Sequence, residues 1–385
     1  MEYAFSRLSR NLPNIEYTER LAQLAGPGFE RVHLTSGGSE AIENAIKFLR
    51  QYAIATGKSS KTRIISCEPS YHGGTITALA MSGDVSLQPF LCGFANSSTK
   101  VPSPFSYRVP DGYDVIDYAN HCANCLESTI NKLGRENVLA FVVEPIGGLS
   151  TGCIVPPEQY FSRIREICTR NDVHLVFDEI LCGMGRTGKF LAAHHWPNAL
   201  PDIVTLAKGL ASGYSPLGAV LAPACMVDEL ADLTGFEFQY SYNANPVSCA
   251  AGLAVLDEYE RQDLVNRARK TGKKLRAGLE RMKAFIPIIG DIRGIGMLLA
   301  VELVEDQKTK RSFPNDLQVA DRIRIHGLTN GLMIYSRQTA GGKYGHWLLV
   351  SPPLTISSRE IDDLLDRLSV AIGDLQAELF EAPRV

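Results

Sequence analysis

The 385-residue sequence lacks any uninterrupted apolar run of about 18 residues, so it predicts no transmembrane helix. Its first residues, MEYAFSRLSRNLP, have no apolar core of the kind that a secretory signal needs. Charge of one sign is also lacking, because 39 Lys and Arg stand against 42 Asp and Glu. Without a basic excess, neither nucleic acid nor a membrane surface is a predicted partner. The composition is typical of a soluble globular protein.

Cysteine is present but not in the spacing of a metal site. The nine cysteines are scattered, and only Cys122 and Cys125, beside His121, stand in CxxC spacing. A structural zinc site needs a second ligand pair at similar spacing, and the sequence has none. We therefore predict no metal, and thiols that stay reduced, which indicates a cytoplasmic protein.

Nucleotide-binding signatures are missing or incomplete. No G-x-G-x-x-G follows the first predicted strand, which argues against a dinucleotide-dependent oxidoreductase. The segment Gly183–Phe190, GMGRTGKF, fits the phosphate loop of nucleotide hydrolases up to its lysine. That loop needs Ser or Thr at the next position for magnesium, and here it is Phe190. A nucleotide hydrolase is therefore disfavoured.

The pattern of apolar residues is that of strands alternating with helices. Such alternation predicts an α/β fold, with a mostly parallel sheet flanked by helices and a smaller α+β domain after it. We expect a short N-terminal segment over residues 1–30, a large domain over 31–283 and a small C-terminal domain over 284–385.

Four further predictions of secondary structure rest on short sequence patterns. Asn14 is a candidate cap for a helix over residues 15–25, and residues 84–113, rich in Pro, Ser and Tyr, predict an irregular excursion. In the C-terminal part, the apolar pattern predicts strands near residues 295–303 and 332–335.

Acidic and basic side chains follow the predicted strands of the large domain. The apolar run Val173–Phe177 ends in Asp178 and Glu179, and the later run 202–207 ends in Lys208. Because ligands of open α/β sheets bind past the carboxyl ends of the strands, Asp178 and Lys208 are candidate site residues. An ordinary ion pair at the strand ends is an equally good interpretation of these two residues alone.

Other strand ends carry further candidates. A Gly-Gly-Ser turn with Gly38 and Ser39 opens a long amphipathic helix, which suits an anion cradle but also a plain helix cap. Tyr71 and His72 follow the next strand, and Glu144 ends the strand predicted over 138–143.

Taken together, these segments resemble the class III pyridoxal-phosphate aminotransferases of fold type I, the group that includes ω-transaminases. TSGGSEAIENAIKFLR is similar to the family's phosphate-binding turn and helix, and SYHGG and VVEPIGG match its next two motifs. FDEILCGMGRTG is close to the family's most specific signature, and LAKGL with SPLGAV matches its lysine segment. The motifs also keep the family's order.

The resemblance implies a cofactor, pyridoxal 5'-phosphate, and a role for each candidate. Lys208 would attach to the cofactor as a Schiff base, and Asp178 would keep the ring nitrogen protonated. By the same resemblance, Gly38 and Ser39 would hold the phosphate, while His72 and Glu144 would belong to the cofactor site. Tyr71 would stack on one face of the ring and Ile180 pack against the other. The segment SYNANP implies that Ser241 reaches the phosphate of a partner subunit, so that a homodimer shares the active site.

The substrate is predicted less directly. Relatives that bind ornithine or γ-aminobutyrate have an Arg where this sequence has Leu349, and an acidic residue where it has Leu149. The nearby cations Arg337 and Lys343 are therefore the candidates to receive an α-carboxylate, with a surface charge as the simpler interpretation. The reaction implied moves an amino group from an amine or ω-amino acid donor to a keto acid such as pyruvate or 2-oxoglutarate.

Two alternatives to this reaction are open at the level of sequence. A racemase, aminomutase or decarboxylase of the same fold would use the same cofactor, because the outcome depends on which bond is held perpendicular to its ring. Only residues 1–35 precede the Ser-Gly-Gly turn, fewer than the family normally has there. This supports the other alternative, a non-catalytic dimeric relative, against which the intact Asp178 and Lys208 argue.

Overall fold

The computed structural model describes residues 9–91, 98–148, 150–339 and 342–381, so that Leu149, discussed above, lies outside the described residues. The helices are Leu12–Ala25 (α1), Gly38–Ala55 (α2), Ile76–Met81 (α3), Val115–Leu133 (α4), Glu158–Arg170 (α5), Ala224–Leu233 (α6), Pro246–Arg261 (α7), Leu264–Phe285 (α8), Val319–Thr329 (α9) and Ser358–Glu381 (α10). The strands are Arg31–Thr35 (β1), Arg63–Glu68 (β2), Thr99–Pro102 (β3), Val138–Val143 (β4), His174–Asp178 (β5), Ile203–Leu206 (β6), Gly218–Ala222 (β7), Ile289–Ile295 (β8), Leu298–Leu303 (β9), Tyr335–Gln338 (β10) and His346–Val350 (β11).

The larger sheet has seven strands in the order β1-β7-β6-β5-β4-β2-β3. Strands β3, β2, β4, β5 and β6 run parallel, whereas β7 is antiparallel to both of its neighbours. Every residue of β4 is buried, as expected for a parallel strand covered by helices on both faces. The predicted mostly parallel α/β sheet is confirmed.

The parallel strands bring their carboxyl ends to one edge of this sheet. Glu144 directly follows β4, Asp178 is the last residue of β5, and Lys208 stands two residues beyond β6. Since β4, β5 and β6 are adjacent, these three side chains start from neighbouring points. The fold therefore places the predicted site where open α/β sheets bind their ligands.

The first helix begins earlier than predicted, and its cap is Asn11 rather than Asn14. The Asn11 side chain accepts a hydrogen bond from the Asn14 backbone N–H at 2.9 Å, and Pro13 lies in the first turn. A proline in this position loses no helical hydrogen bond, so the helix extends toward the N-terminus. Tyr17 and Leu21 are fully buried and join the core of the larger sheet.

The C-terminal sheet is antiparallel in the order β10-β11-β9-β8. The single strand predicted over 295–303 is wrong in detail, because the chain turns at Gly296 (φ +62°) and forms the hairpin of β8 and β9. The strand predicted over 332–335 lies instead at β10. The Leu332 N–H donates to the Gly327 carbonyl at the end of α9, so Leu332 still belongs to the end of the helix and the strand begins at Tyr335.

Besides β8, two elements escaped the sequence patterns. Strand β3 lies inside the 84–113 region that was predicted to be irregular, where its four residues are too few for a clear alternation. Helix α6 follows β7 directly and was not predicted. In the part of the chain that the structure describes, no helix combines the length and apolarity needed to cross a membrane. The domain boundaries at residues 30 and 283 stay predictions.

Candidate active site

A cavity of about 650 Å³ lies at the carboxyl ends of β5 and β6. It is where most of the predicted site residues meet, although they are distant in sequence. Its lining residues are Ser36, Gly37, Gly38, Ser39, Tyr71, His72, Gly73, Glu144, Asp178, Ile180, Leu181, Ala207, Lys208, Gly213, Ser215, Pro216, Leu217, Tyr335 and Leu349.

One wall of the cavity is the N-terminus of α2. Gly37 is the cap residue of this 18-residue helix, and no side chain occupies the cap. The Glu40 carboxylate instead accepts the Ser36 backbone N–H at 2.8 Å. The backbone N–H groups of the first turn of a helix have no partner within it, and the helix dipole favours an anion there. This turn is therefore suited to hold a phosphate.

Gly38 is in close contact with the opposite wall. A Cβ on Gly38 would lie 2.9 Å from the Cδ1 atom of Ile180, which is closer than real Cβ contacts. Ser39 is held through its hydroxyl, which accepts the Gly74 backbone N–H at 3.0 Å. The absence of a side chain at Gly38 thus lets the first turn of α2 approach Ile180.

At the base of the cavity, Asp178 is nearly fully buried and bonded to His72. The distance between His72 Nδ1 and Asp178 Oδ2 is 2.8 Å, and the carboxylate also accepts the Ile180 backbone N–H at 3.1 Å. A carboxylate only accepts, so Nδ1 carries the proton of this bond. The Nε2 atom of His72 is buried with no hydrogen-bond partner among the described residues. Two donors therefore hold the Asp178 carboxylate in place.

Glu144 lies beside this pair and supports the backbone around it. Its carboxylate accepts the Tyr71 N–H and the Gly148 N–H, each at 3.0 Å. Burial raises the pKa of Glu144 from 4.5 to about 7, with His72 opposing this effect and Asp178 adding to it. A carboxyl group with a raised pKa in the folded state makes the stability of the protein depend on pH.

We expect the cofactor-free protein to lose stability as the pH rises from about 4.5 to 7, by roughly 2 kcal/mol from Glu144 alone. Below this window Glu144 is protonated in both states. Within it Glu144 ionises in the unfolded chain first, which lowers the free energy of the unfolded state relative to the folded state. Urea unfolding of wild type and Glu144→Gln across this range measures the effect. The variant should show a flatter pH dependence, and parallel curves for the two proteins would refute the prediction.

Lys208 starts a short 3-10 turn after β6 and has a positive φ of 41°. Its side chain is exposed, and it is the one lysine or arginine among the lining residues in the described part of the chain. The cavity thus contains an accessible amine, on Lys208, and a buried carboxylate, on Asp178, and both can contact a bound ligand. The two groups stand on separate strands, where a ligand can lie between them.

Glu179, next to Asp178, has a structural environment instead. It is fully buried and accepts the backbone N–H groups of Ala192 and Ala193 at 2.5 and 2.7 Å. Burial raises the pKa of Glu179 to about 8, and the two backbone donors oppose that shift. Of the two adjacent carboxylates, only Asp178 lines the cavity.

Three of the predicted residues do not line the cavity. Ser241 is exposed on the segment before α7. Arg337 pairs with the fully buried Asp84, and Lys343 stands 3.6 Å from Glu68 at the side of a separate cavity of about 420 Å³. The sequence predicts these three residues from their positions along the chain. It does not indicate that Arg337 and Lys343 have carboxylate partners.

Several wall residues were missed by the sequence analysis. Leu181, Ser215, Leu217 and Tyr335 line the cavity beside Leu349. Leu181 follows Ile180 directly, and Ser215 and Leu217 stand within the SPLGAV motif, so their neighbours could have pointed to them. Tyr335 carried no signal, because it is brought in by the C-terminal sheet, where its Cα pairs with that of Leu349 across β10 and β11.

The incomplete motifs have structural roles. Cys122 is buried in α4 and the Cys125 thiol contacts His121 at 3.4 Å, but no group of three metal-ligating side chains occurs in the described ranges. In GMGRTGKF, the Arg186 guanidinium donates to the Pro352 carbonyl at 2.5 Å. The stretch continues into a short 3-10 helix rather than the long helix of a phosphate loop.

The donor set of the cavity fits a phosphorylated pyridine. It combines a helix N-terminus for a phosphate, a buried and hydrogen-bonded carboxylate for a protonated ring nitrogen, and an amine for an aldehyde. With the mostly parallel sheet, this arrangement defines a fold type I pyridoxal-phosphate enzyme.

Comparison with known proteins identifies the family. The family description "Aminotransferase class-III" matches residues 2–372. A probable aminotransferase of Mycobacterium tuberculosis is 38% identical over 367 residues, covering 94% of this chain and 77% of the relative. The taurine–pyruvate aminotransferase of Bilophila wadsworthia is 34% identical, with 95% and 80% covered. An amine transaminase from an uncultivated Pseudomonas species, solved in a PLP-bound form, superposes with a TM-score of 0.88 at 33% identity, covering 95% of this chain and 82% of that one.

The chain belongs to the class III aminotransferases. It is a pyridoxal-phosphate-dependent enzyme of the transaminase type, which moves an amino group between an amine-bearing donor and a keto acid. The fold, cofactor and reaction implied by the sequence motifs are thereby confirmed.

Proposed function

We propose that Lys208 and Asp178 are the catalytic residues of this transaminase. The observation that carries the proposal is that one cavity contains both, together with the N-terminus of α2. Lys208 would attach covalently to the cofactor, and once the donor amine has displaced it, its free amine would move the proton of the donor Cα. Asp178 would hold a proton on the ring nitrogen by charge pairing.

The other lining residues hold and orient the cofactor. When bound, pyridoxal phosphate supplies an electron sink for the pair left by the Cα proton. Gly38 and Ser39 would bind its phosphate, and Tyr71 and Ile180 would contact the two faces of its ring. His72 orients the Asp178 carboxylate through the 2.8 Å hydrogen bond. Glu144 keeps the Tyr71 backbone in place.

The walls support a donor with an apolar part and one primary amine. Leu181, Leu217, Tyr335 and Leu349 give part of the lining an apolar or aromatic surface. For the α-carboxylate of the keto acid we keep Arg337 as the receptor, because it is two residues from Tyr335 on the same face of β10. Its pairing with Asp84 would have to give way to the substrate. Lys343 is the second predicted receptor and lies at a different cavity.

We further propose that a homodimer is the active form. Tyr214, which stands between the lining residues Gly213 and Ser215, is 85% exposed, and Tyr242 is 66% exposed next to the exposed Ser241. Large exposed aromatic residues are typical of protein interfaces. Ser241 would reach the phosphate held by the partner, so the site would be complete only in the dimer.

For the dimer, we expect light scattering of the purified protein to give twice the 42.1 kDa mass of the chain. Ser241→Ala should weaken cofactor binding about fivefold, the effect of losing one hydrogen bond, without dissociating the dimer. Ser60→Ala, which removes an exposed hydroxyl that donates to the Glu136 carbonyl and does not line the cavity, is the matched control for cofactor affinity. A monomeric mass for the active enzyme would exclude the shared site.

We also infer that the enzyme works in the cytoplasm. The eight cysteines in the described part of the chain are free thiols, which is usual in a reducing compartment. Fractionation of the native host, with antibody detection of the chain, tests this assignment.

The reaction is tested by the absorption spectrum of the purified enzyme. Wild type with pyridoxal phosphate should show a visible band that taurine or a simple primary amine bleaches, and that pyruvate or 2-oxoglutarate restores. Only an enzyme that carries the amino group on its cofactor gives this cycle. A band that donors change but no keto acid restores would instead favour a racemase or decarboxylase.

A further inference from the structure

The N-terminal helix α1 contacts the turn that carries Lys208, although none of its side chains lines the cavity. The hydroxyl of Tyr17 donates a hydrogen bond to the Leu210 carbonyl at 3.1 Å, across 193 positions of sequence. Tyr17 is fully buried, and Leu210 stands two residues after Lys208. A buried bond of this kind fixes the position of a backbone carbonyl.

The turn itself needs such support, because its conformation is unusual. Lys208 and Ser212 both have positive φ angles, 41° and 47°, a region that residues other than glycine rarely adopt. Residues held in sparsely populated regions persist only where the surroundings determine them. The direction of the Lys208 side chain depends on these backbone angles.

The Tyr17 ring is itself held by a fitted surface. A Cβ on Gly252 of α7 would lie 2.7 Å from the Cε2 and Cζ atoms of the ring, so the glycine makes room for it. On the other side of the turn, a Cβ on Gly209 would lie 2.7 Å from Met184, whose carbonyl accepts the Tyr259 hydroxyl at 2.6 Å. Two tyrosines therefore hold this region: Tyr17 bonds the turn at Leu210, and Tyr259 bonds Met184, against which the turn packs at Gly209.

We propose that Tyr17 is a positioning residue for the transaminase reaction, whose hydroxyl holds the Lys208 turn through the Leu210 carbonyl. The inference rests on the proposed role of Lys208. Helix α1, which lies outside the cavity, would thus affect the chemical step through the position of the Lys208 turn. A shift of the turn changes where the Lys208 amine meets the donor Cα, and small misplacements of reacting groups cost rate rather than binding.

The test compares Tyr17→Phe with Thr18→Val in the cofactor-loaded enzyme. Both variants remove one buried hydroxyl from α1 with little change of shape, but among the described residues the Thr18 hydroxyl bonds within α1 and to Arg10 and not to the Lys208 turn. For Tyr17→Phe we expect kcat to fall about tenfold with the KM of the donor within about twofold. The pH midpoint of the visible cofactor band should shift by about half a unit. Thr18→Val should keep wild-type kcat and midpoint even if its melting temperature falls.

A second variant covers the case in which Tyr17→Phe is poorly folded. Gly252→Ala keeps the hydroxyl but displaces the ring, and it should also lower kcat and shift the band midpoint. The proposal is overturned if Tyr17→Phe and Gly252→Ala both match Thr18→Val in kcat and midpoint. Failure of the proposed function is separately visible, because Lys208→Ala would then keep wild-type turnover.

Discussion

Lys208→Ala is expected to lose at least about 10⁴-fold in kcat while it stays folded and still binds pyridoxal phosphate. The exposed amine can be removed without leaving a buried cavity, so the melting temperature should remain close to that of wild type. The variant should lose the covalent attachment of the cofactor to the protein. Borohydride reduction followed by mass spectrometry should place the cofactor on Lys208 in wild type and on no residue in the variant.

Lys189→Ala is the matched control for this substitution. Lys189 is also exposed and directly follows the motif FDEILCGMGRTG, but it does not line the cavity. We expect wild-type activity and cofactor attachment from this variant. If Lys208→Ala retained wild-type turnover, or if the cofactor were trapped on another lysine, the catalytic assignment would have to be abandoned.

Asp178→Asn has the second largest expected effect, a loss of about 10³-fold in kcat with the covalent attachment to Lys208 intact. The amide keeps the size of the side chain, but it carries no charge to hold a proton on the ring nitrogen. The amide also has an NH2 group, which is a donor, in place of one of the two carboxylate oxygens that can accept the His72 hydrogen bond. Steady-state kinetics and the visible band of the bound cofactor separate the two effects.

Glu179→Gln is the corresponding control, because Glu179 is the adjacent buried carboxylate and faces away from the cavity. Its loss should lower the melting temperature, since the carboxylate accepts the Ala192 and Ala193 N–H groups. The turnover of the folded enzyme should stay within about threefold of wild type. Equal kcat losses in Asp178→Asn and Glu179→Gln would show that Asp178 acts only through stability.

These controls rest on distinctions that the sequence leaves open. Asp178 and Glu179 are adjacent at the end of an apolar run, so alternation along the strand predicts that they point to opposite sides. Which of the two faces the ligand depends on what covers each side of the sheet. Here the segment with Ala192 and Ala193 covers Glu179, and the N-terminus of α2 stands near Asp178.

The cofactor side of the site was predictable because its signals are local. A strand that ends in acid, a glycine turn that opens a helix, and a lysine after an apolar run each need only a few neighbouring residues. Parallel strands then bring such ends together whatever the details of packing. For this reason the sequence predicts Gly38, Ser39, Tyr71, Asp178 and Lys208 as site residues, and all five line one cavity.

The substrate side was not predictable to the same degree. The sequence indicates Arg337 and Lys343 by their position in the chain, but their carboxylate partners, Asp84 and Glu68, are more than 200 residues away. Tyr335 entered the wall of the cavity through pairing of β10 with β11. Contacts between distant segments follow from the packing of whole elements, for which one sequence carries no signal.

By itself, the sequence determined the class of enzyme, the cofactor and the residues at the strand ends, because these depend on short motifs with a fixed chemical purpose. Only the tertiary structure decided which carboxylate faces the cavity and which cations are already paired. It also brought Tyr17 under the turn of Lys208. The physical reason is the same in each case, since burial and pairing of a side chain are properties of the surfaces that enclose it.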